Sequence, residues 1–122
     1  MHDGSELCVV MTTCSTQDAE RLAMALVERR LASCVQRIGI DSTYRWEGAV
    51  QNDPETLLLI KTRRGRYDGV AAFLAEGHPY DEPEVLMLPV SNAGEGYARW
   101  LADEAAAHAP STVSRRTATS TE

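Results

Sequence analysis

The 122-residue sequence lacks the features that mark several common classes of protein. Its three cysteines form no CxxC pair, which argues against a structural zinc ribbon. No apolar run approaches the roughly 20 residues that a helix needs to span a bilayer. Basic residues are scarce, since 12 Lys and Arg stand against 18 Asp and Glu for a net charge of −6. Because such a chain has no positive stripe for phosphates, we expect neither a nucleic-acid partner nor a membrane partner.

The two ends of the chain differ from its middle. Residues 109–122 are rich in Ser and Thr and have little apolar surface to bury, so we expect a disordered tail. We also expect residues 1–5 to be flexible and residues 6–108 to form one domain, since that length is usual for a single domain. The first residues have no basic region before an apolar stretch, and the cysteines are interpreted as reduced thiols. Both features favour a cytoplasmic location.

Apolar runs alternate with helical spacing along the domain. The run at 7–11 predicts a buried strand, and Ser15 three residues before Asp18 predicts the start of a helix. Strand-like alternation over 34–46 and a second apolar run at 57–62 predict the two strands of a hairpin. The chain therefore begins with a strand, a helix and a hairpin.

Four residues suggest how that hairpin is shaped. The pair Glu47 and Gly48 fits a tight turn between the strands. We expect Gly39 to mark a bulge or bend in the first strand. We expect Pro54 to interrupt the second strand, because proline has no N–H to donate to a neighbouring strand.

The remaining elements complete an α+β order. Helical spacing predicts a second helix over about 64–76 and a last helix around Trp100, with a fourth strand over 84–90 between them. The order β-α-β-β-α-β plus a terminal helix matches the ferredoxin-like split βαβ fold, with helices on one face of a four-stranded sheet. The other face would be a large exposed apolar patch. Self-association through that face is the simplest way to cover it, so we expect an oligomer.

Five stretches resemble the CutA divalent-cation-tolerance proteins, in order and at matching spacing. These stretches are 31–35, 44–48, 57–62, 78–84 and 97–101, and the resemblance as a whole extends over roughly residues 7–104. The resemblance implies a ferredoxin-like protomer in a homotrimer whose long hairpins interlock. It also implies a cytoplasmic function connected with divalent metal ions, copper in particular.

The stretch 78–84 carries the groups best suited to bind metal. Imidazole is a good ligand for Cu(II), Ni(II) or Zn(II), and carboxylates can complete or orient such a site. The resemblance points to His78 as a ligand, although some members have a second histidine where this chain has Gly77, and a strand cysteine where it has Met11. We predict a weak site for copper(II) or another divalent cation, formed by His78, Met11 and Glu84. The open alternative is that His78 and Glu84 only satisfy backbone groups of their loop.

Other side chains are candidates for supporting roles. We predict that Tyr80 and Lys61 either contact the bound ligand or orient the side chains that bind it. Lys61 also belongs to a basic cluster over 61–66 that could bind an anion near a helix start. We interpret Tyr44 and Trp46 as hairpin anchors in the subunit interface rather than as a ligand box, because aromatic side chains dominate interface energetics.

An enzyme is the least favoured class. The sequence has no recognisable Ser-His-Asp arrangement, phosphate-binding glycine loop or HExxH motif. The carboxylates of Glu82 and Glu84 have no nucleophile beside them in sequence. The leading hypothesis is a trimeric metal-binding protein. The alternatives are a trimer that binds a small effector in clefts between subunits and a scaffold that anchors a partner protein.

Overall fold

The computed structural model describes residues 6–106, which form four strands and three helices. In chain order these elements are β1 (Leu7–Cys14), α1 (Thr16–Glu28), β2 (Cys34–Trp46), β3 (Ala49–Arg63), α2 (Tyr67–Gly77), β4 (Leu86–Pro89) and α3 (Glu95–Glu104). The expectations for residues 1–5, for the domain end at 107–108 and for the tail at 109–122 lie outside the described residues.

The strands form one antiparallel sheet in the order β2-β3-β1-β4. The strands β1 and β2 run in the same direction with β3 between them, and α1 connects the two. This arrangement is the split βαβ unit, and it confirms the predicted ferredoxin-like α+β fold. No helix within residues 6–106 has both the length and the apolar content needed to cross a bilayer.

The hydrophobic core lies between the sheet and the two helices α1 and α2. Alternate side chains of β1 and β3 are buried on this face, and they pack against apolar side chains of the helices: Val10, Leu58, Ile60, Leu22, Leu26, Val70 and Leu74. The start of α1 is as predicted, because the Ser15 hydroxyl accepts the backbone N–H of Asp18 at 3.2 Å. That bond satisfies a helix-end donor that would otherwise have no partner.

The hairpin of β2 and β3 is longer than the rest of the sheet. Strand β1 reaches no further along β3 than Thr56, whereas β2 continues beside β3 to the turn. Residues 40–55 therefore project beyond the sheet as two paired strands, which we call the hairpin arm. Glu47 and Gly48 have φ of 50° and 81°, the left-handed geometry of the tight turn that was predicted there.

The predicted break at Pro54 and the predicted bulge at Gly39 are wrong. Both residues pair with β2 or β3 partners in one unbroken register, Pro54 with Asp41 and Gly39 with Thr56. Pro54 lies in the hairpin arm, where β3 has a neighbouring strand on one edge only. Proline is tolerated at such edge positions, so the strand continues through it.

Two predicted elements are shorter in the structure. The second helix begins at Tyr67, because Arg64–Arg66 forms a 3-10 turn ahead of it. The fourth strand begins at Leu86, and the preceding residues form a loop from the end of α2. We call residues 78–85 the α2–β4 loop.

The sheet face opposite α1 and α2, which we call the open face, is covered at one end by α3. There the Lys61 ammonium lies 5.7 Å from the ring centre of Tyr97. Elsewhere the open face presents apolar side chains, with Ile38, Leu86 and Leu88 exposed by 44%, 56% and 45%. These residues form the exposed apolar patch that the sequence predicted for this face.

Candidate functional site

A cleft of about 670 Å³ lies between the hairpin arm and the α2–β4 loop. Three aromatic and four acidic residues line it together with hydroxyl-bearing ones: Tyr44, Trp46, Tyr80, Glu55, Asp81, Glu82, Glu84, Thr13, Ser42 and Thr43. No Lys, Arg or His of residues 6–106 belongs to this lining. We call it the acidic cleft, and its volume is in the range of sites that hold small molecules.

The hairpin arm contributes one row of side chains to this cleft. Tyr44 and Trp46 are two positions apart on β2, so they project to the same side of the arm. Glu55 faces the same side, because its cross-strand partner is Ile40, which is an even number of positions from Tyr44. The Tyr44 hydroxyl donates to the Asp53 carboxylate at 2.6 Å, and this bond fixes the position of the ring.

Tyr80 connects the α2–β4 loop to the arm. Its hydroxyl donates to the carboxylate of Glu55 at 3.1 Å. Burial and this hydrogen bond to Glu55 raise the pKa of Tyr80 to about 12. The phenol therefore stays a hydrogen-bond donor at neutral pH.

His78 anchors the beginning of the same loop from inside the protein. Its side chain is 6% exposed, and its Nε2 lies 2.7 Å from the carbonyl oxygen of Thr13. Its Nδ1 accepts the backbone N–H of Tyr80 at 3.1 Å. Since an amide N–H only donates, the ring proton is on Nε2 and is donated to Thr13. Both nitrogens that could bind a metal are engaged in hydrogen bonds.

The Thr13 carbonyl is available to His78 because β4 is short. The Leu7 carbonyl accepts the N–H of Val90, which shows that odd-numbered carbonyls of β1 point to the β4 side. Strand β4 pairs no further along β1 than Met11. His78 therefore satisfies a carbonyl that lies just beyond the end of the neighbouring strand.

Of the residues predicted to bind metal, only Glu84 lines the acidic cleft. Met11 is on β1 beside Leu59 and Leu86, and it points to the open face. Within residues 6–106 no group of three or more His, Cys, Asp or Glu side chains is arranged to hold a metal ion. The metal-binding roles of His78, Met11 and Glu84 stay predictions.

The predicted supporting and interface residues are divided between two places. Tyr80 lines the acidic cleft, whereas Lys61 lies near α3, with its ammonium 3.5 Å from the Tyr97 hydroxyl. Tyr44 and Trp46 line the cleft and are 43% and 57% exposed. Their predicted place in a subunit interface stays a prediction.

The carboxyl group of Glu84 is in an unfavourable position for a negative charge. Burial, and then the nearby charge of Glu55, raise the pKa of Glu84 above its ordinary value. In the described part of the chain it forms no ion pair. A cation bound in the cleft would stabilise the charged form of Glu84 against both its burial and the repulsion from Glu55.

Sequence reasoning missed Glu55 and Thr13. Glu55 could have been found by pairing the strands about the turn at Glu47 and Gly48, which places it on the same side as Trp46. Thr13 contributes a backbone carbonyl to His78, and no residue type signals such a role.

The fold and the cleft define a class of protein: a ferredoxin-like α+β domain with a projecting hairpin arm and an acidic, aromatic cleft beside it. Residues 7–104 match the family model described as CutA1 divalent ion tolerance protein. The chain belongs to this family, and the resemblance seen in its sequence is confirmed.

Individual relatives agree with that result. The divalent-cation tolerance protein CutA of Thermus thermophilus is 40% identical over 97 residues, which are 79% of this chain and 94% of that protein. The chloroplastic CutA protein of Arabidopsis thaliana is 38% identical over 96 residues, 78% of this chain, and the match spans about half (53%) of that relative. The solved structure of CutA from Synechococcus elongatus has a TM-score of 0.81 at 35% identity, over 86% of this chain and 95% of that one.

Proposed function

We propose that this protein serves divalent-cation tolerance as a homotrimer that binds a divalent cation weakly at the acidic cleft. Its family supplies the link to divalent cations. The observation that carries the site is the Glu84 carboxyl, which is partly buried beside Glu55 in a cleft that no basic residue of the described chain lines. A doubly charged ion would interact favourably with both carboxylates.

The number of protein ligands limits the affinity. Four carboxylates line the cleft, but within residues 6–106 no three His, Cys, Asp or Glu side chains are placed to hold one ion together. An ion bound by Glu84 and Glu55 would therefore take water at most of its remaining positions. Copper(II) is the first candidate, as the resemblance implies. Binding copper through His78 requires its ring to give up a hydrogen bond to Thr13 or to Tyr80. We therefore propose Glu84 as the principal ligand and His78 as the residue that positions the loop.

The open face and the hairpin arm support the homotrimer. Apolar side chains are exposed on both, with Val50 on the arm 60% exposed and Leu86 on the open face 56% exposed. A two-stranded arm without further contacts is only marginally stable in water. Arms that pack against neighbouring copies would gain stability from the burial of Tyr44 and Trp46.

A second candidate function is the binding of a small effector in the same cleft. Three aromatic residues, Tyr44, Trp46 and Tyr80, line a volume far larger than a metal ion occupies. In both cases we propose a binding protein rather than an enzyme. We also propose a cytoplasmic location, which is supported by the free thiols of Cys8, Cys14 and Cys34. Cell fractionation with an antibody to the protein tests this location.

Calorimetric titration with copper(II) tests the metal site. We expect Glu84→Gln to weaken binding by about fivefold or more, the effect of losing one charged ligand. Glu20→Gln, a charge change on the exposed surface of α1, serves as the control and should bind like the wild type. If His78→Ala abolishes copper binding while Glu84→Gln preserves it, the imidazole is the main ligand and the proposed role of Glu84 is wrong.

A further inference from the structure

We propose that Arg21 on α1 is a positioning residue for the α2–β4 loop, because its guanidinium holds the last carbonyl of α2 at the point where the loop begins. This inference rests on the proposed function, since it concerns how Glu84 is brought into the acidic cleft. The contacts that carry it lie between α1 and α2, and none of them involves the hairpin arm.

Arg21 reaches from the side of α1 to the end of α2. Both terminal nitrogens of its guanidinium, Nη1 and Nη2, donate to the carbonyl oxygen of Gly77 at 3.3 Å. Gly77 is the last residue of α2, and His78 is the first residue of the α2–β4 loop. The guanidinium therefore holds the backbone at the residue from which the loop starts.

The end of α2 is a favourable place for a cation from another element. The last carbonyls of a helix have no partner within the helix, and they form the negative end of its dipole. A basic side chain in the last turn often satisfies such carbonyls, but α2 has no basic residue there. Arg21 supplies from α1 the cation that the sequence of α2 lacks.

The guanidinium is itself held in place at the start of α1. Its Nη2 forms an ion pair with Asp18, three residues earlier, at 3.1 Å. The other carboxylate oxygen of Asp18 accepts a hydrogen bond from the Ser15 hydroxyl at 2.8 Å. The bonds to Ser15 and then to Arg21 lower the pKa of Asp18, so this carboxyl is charged at neutral pH. Although Arg21 is exposed, its orientation is therefore restrained.

Two neighbouring residues at the start of the loop are thus anchored to one part of the chain. Gly77 is held by Arg21 on α1, and His78 donates to the Thr13 carbonyl near the end of β1. Thr13 and Arg21 lie on either side of the junction between β1 and α1. A loop that starts in a fixed direction presents Glu84, six residues beyond His78, to the acidic cleft.

Charge and position predict opposite effects when Arg21 is replaced. If its positive charge acted only at a distance, removing it would strengthen the binding of a cation at the acidic cleft, because like charges repel. If the guanidinium positions the loop, removing it weakens cation binding, because Glu84 is in place for a smaller fraction of the time. The sign of the change in affinity therefore separates the two roles.

Calorimetric titration of copper(II) into the full-length protein measures this sign. Leucine forms helices well and has no donors, so we expect Arg21→Leu to weaken copper binding by about threefold. Arg29→Leu is the matched control, because Arg29 also reaches from α1 to α2 but lies over the ring of Phe73, 5.1 Å from its centre. The control should bind copper at least as tightly as the wild type. Equal or tighter binding by Arg21→Leu would overturn the proposal.

A double variant shows whether the effect of Arg21 passes through Glu84. If Arg21 acts by placing Glu84, the variant with both Arg21→Leu and Glu84→Gln should bind copper no more weakly than Glu84→Gln alone. A further threefold loss in the double variant would show that Arg21 acts independently of Glu84, and it would overturn the proposal.

The loop itself is followed by amide hydrogen exchange in the metal-free protein. The amide of His78 donates to the Leu74 carbonyl, and the amide of Tyr80 donates to the His78 ring. Both amides should exchange about threefold faster in Arg21→Leu, whereas amides of β1 should keep their wild-type rates. Arg29→Leu should exchange like the wild type at all of these positions. Unchanged rates at both loop amides in Arg21→Leu would overturn the proposal.

The failure of this proposal can be told apart from the failure of the proposed function. If the wild type does not bind copper, the metal site is wrong, and the exchange of the His78 and Tyr80 amides alone decides the role of Arg21. If the wild type binds copper and Arg21→Leu changes neither affinity nor exchange, the metal site stands and the role of Arg21 is wrong.

Discussion

The imidazole of His78 donates a 2.7 Å hydrogen bond to the carbonyl of Thr13, and this bond ties the α2–β4 loop to a central strand of the sheet. The same ring accepts the N–H of Tyr80, whose hydroxyl in turn donates to Glu55 on the hairpin arm. These three bonds form one connected path from β1 through the loop to the arm. The acidic cleft lies beside this path, so its shape depends on a histidine that does not line it.

Removing the last bond of this path should loosen the arm. Tyr80→Phe keeps the aromatic ring but loses the hydroxyl that donates to Glu55. We expect a stability loss of about 0.5–1 kcal/mol, because the bond is partly exposed to water. Hydrogen exchange should become faster at residues 50–55 and stay unchanged in the core of β1. Unchanged exchange in the arm would contradict a role for this bond in holding it.

The stability contributed by Glu84 should depend on pH. Its pKa is raised in the folded protein, so the folded state favours the protonated form, and the charged form is unfavourable at neutral pH. Glu84→Gln should therefore be more stable than the wild type at neutral pH, by less than about 1 kcal/mol after screening by solvent. The extra stability of Glu84→Gln should disappear as the pH falls towards 4.5, the ordinary pKa of a glutamate carboxyl group. Urea denaturation of the two metal-free proteins at several pH values measures the difference between their free energies of unfolding. A difference that does not change with pH would contradict the explanation.

A buried hydroxyl without a partner should be a source of instability. Thr12 is fully buried, and its Oγ1 has no hydrogen-bond partner in the part of the chain that the structure describes. Thr12→Val keeps the shape and removes the unsatisfied group, so we expect a gain of about 1 kcal/mol in urea denaturation.

The matched control for Thr12 is a second buried threonine. The Oγ1 of Thr62 donates to the carbonyl of Leu31 at 2.7 Å. Thr62→Val should destabilise the protein by about 1 kcal/mol, because it leaves that carbonyl without its donor. Changes of the same sign for Thr12→Val and Thr62→Val would contradict this reasoning.

A charge on the open face should disrupt the assembly. Leu86 on the open face and Met24 on α1 are exposed to similar extents, 56% and 54%. If the trimer covers the open face, Leu86→Glu should yield a single subunit in sedimentation velocity, because a buried unpaired charge is strongly unfavourable. Met24→Glu should keep the assembly of the wild type. Identical assemblies for the two variants would rule out an interface through the open face.

The secondary structure could be predicted in large part because its causes are local. Ser15 and Asp18 are three residues apart and start a helix by themselves, and Glu47 and Gly48 form a turn from their own backbone preferences. The error at Pro54 has a tertiary cause. Whether a strand can include proline depends on which of its edges has a neighbour, and that depends on where β1 ends.

The sequence by itself determined the order of the elements, the two faces of the sheet and the family, since each follows from residue spacing along the chain. The tertiary structure decided the site. His78 meets Thr13 across 65 positions and Tyr80 meets Glu55 across 25, and both contacts depend on strand register and on the short length of β4. The chemistry of its imidazole and the family resemblance identified His78 as a residue that can bind metal. Only the folded chain shows both of its nitrogens engaged and the carboxyl of Glu84 facing the cleft, because those facts are set by neighbours that are distant in sequence.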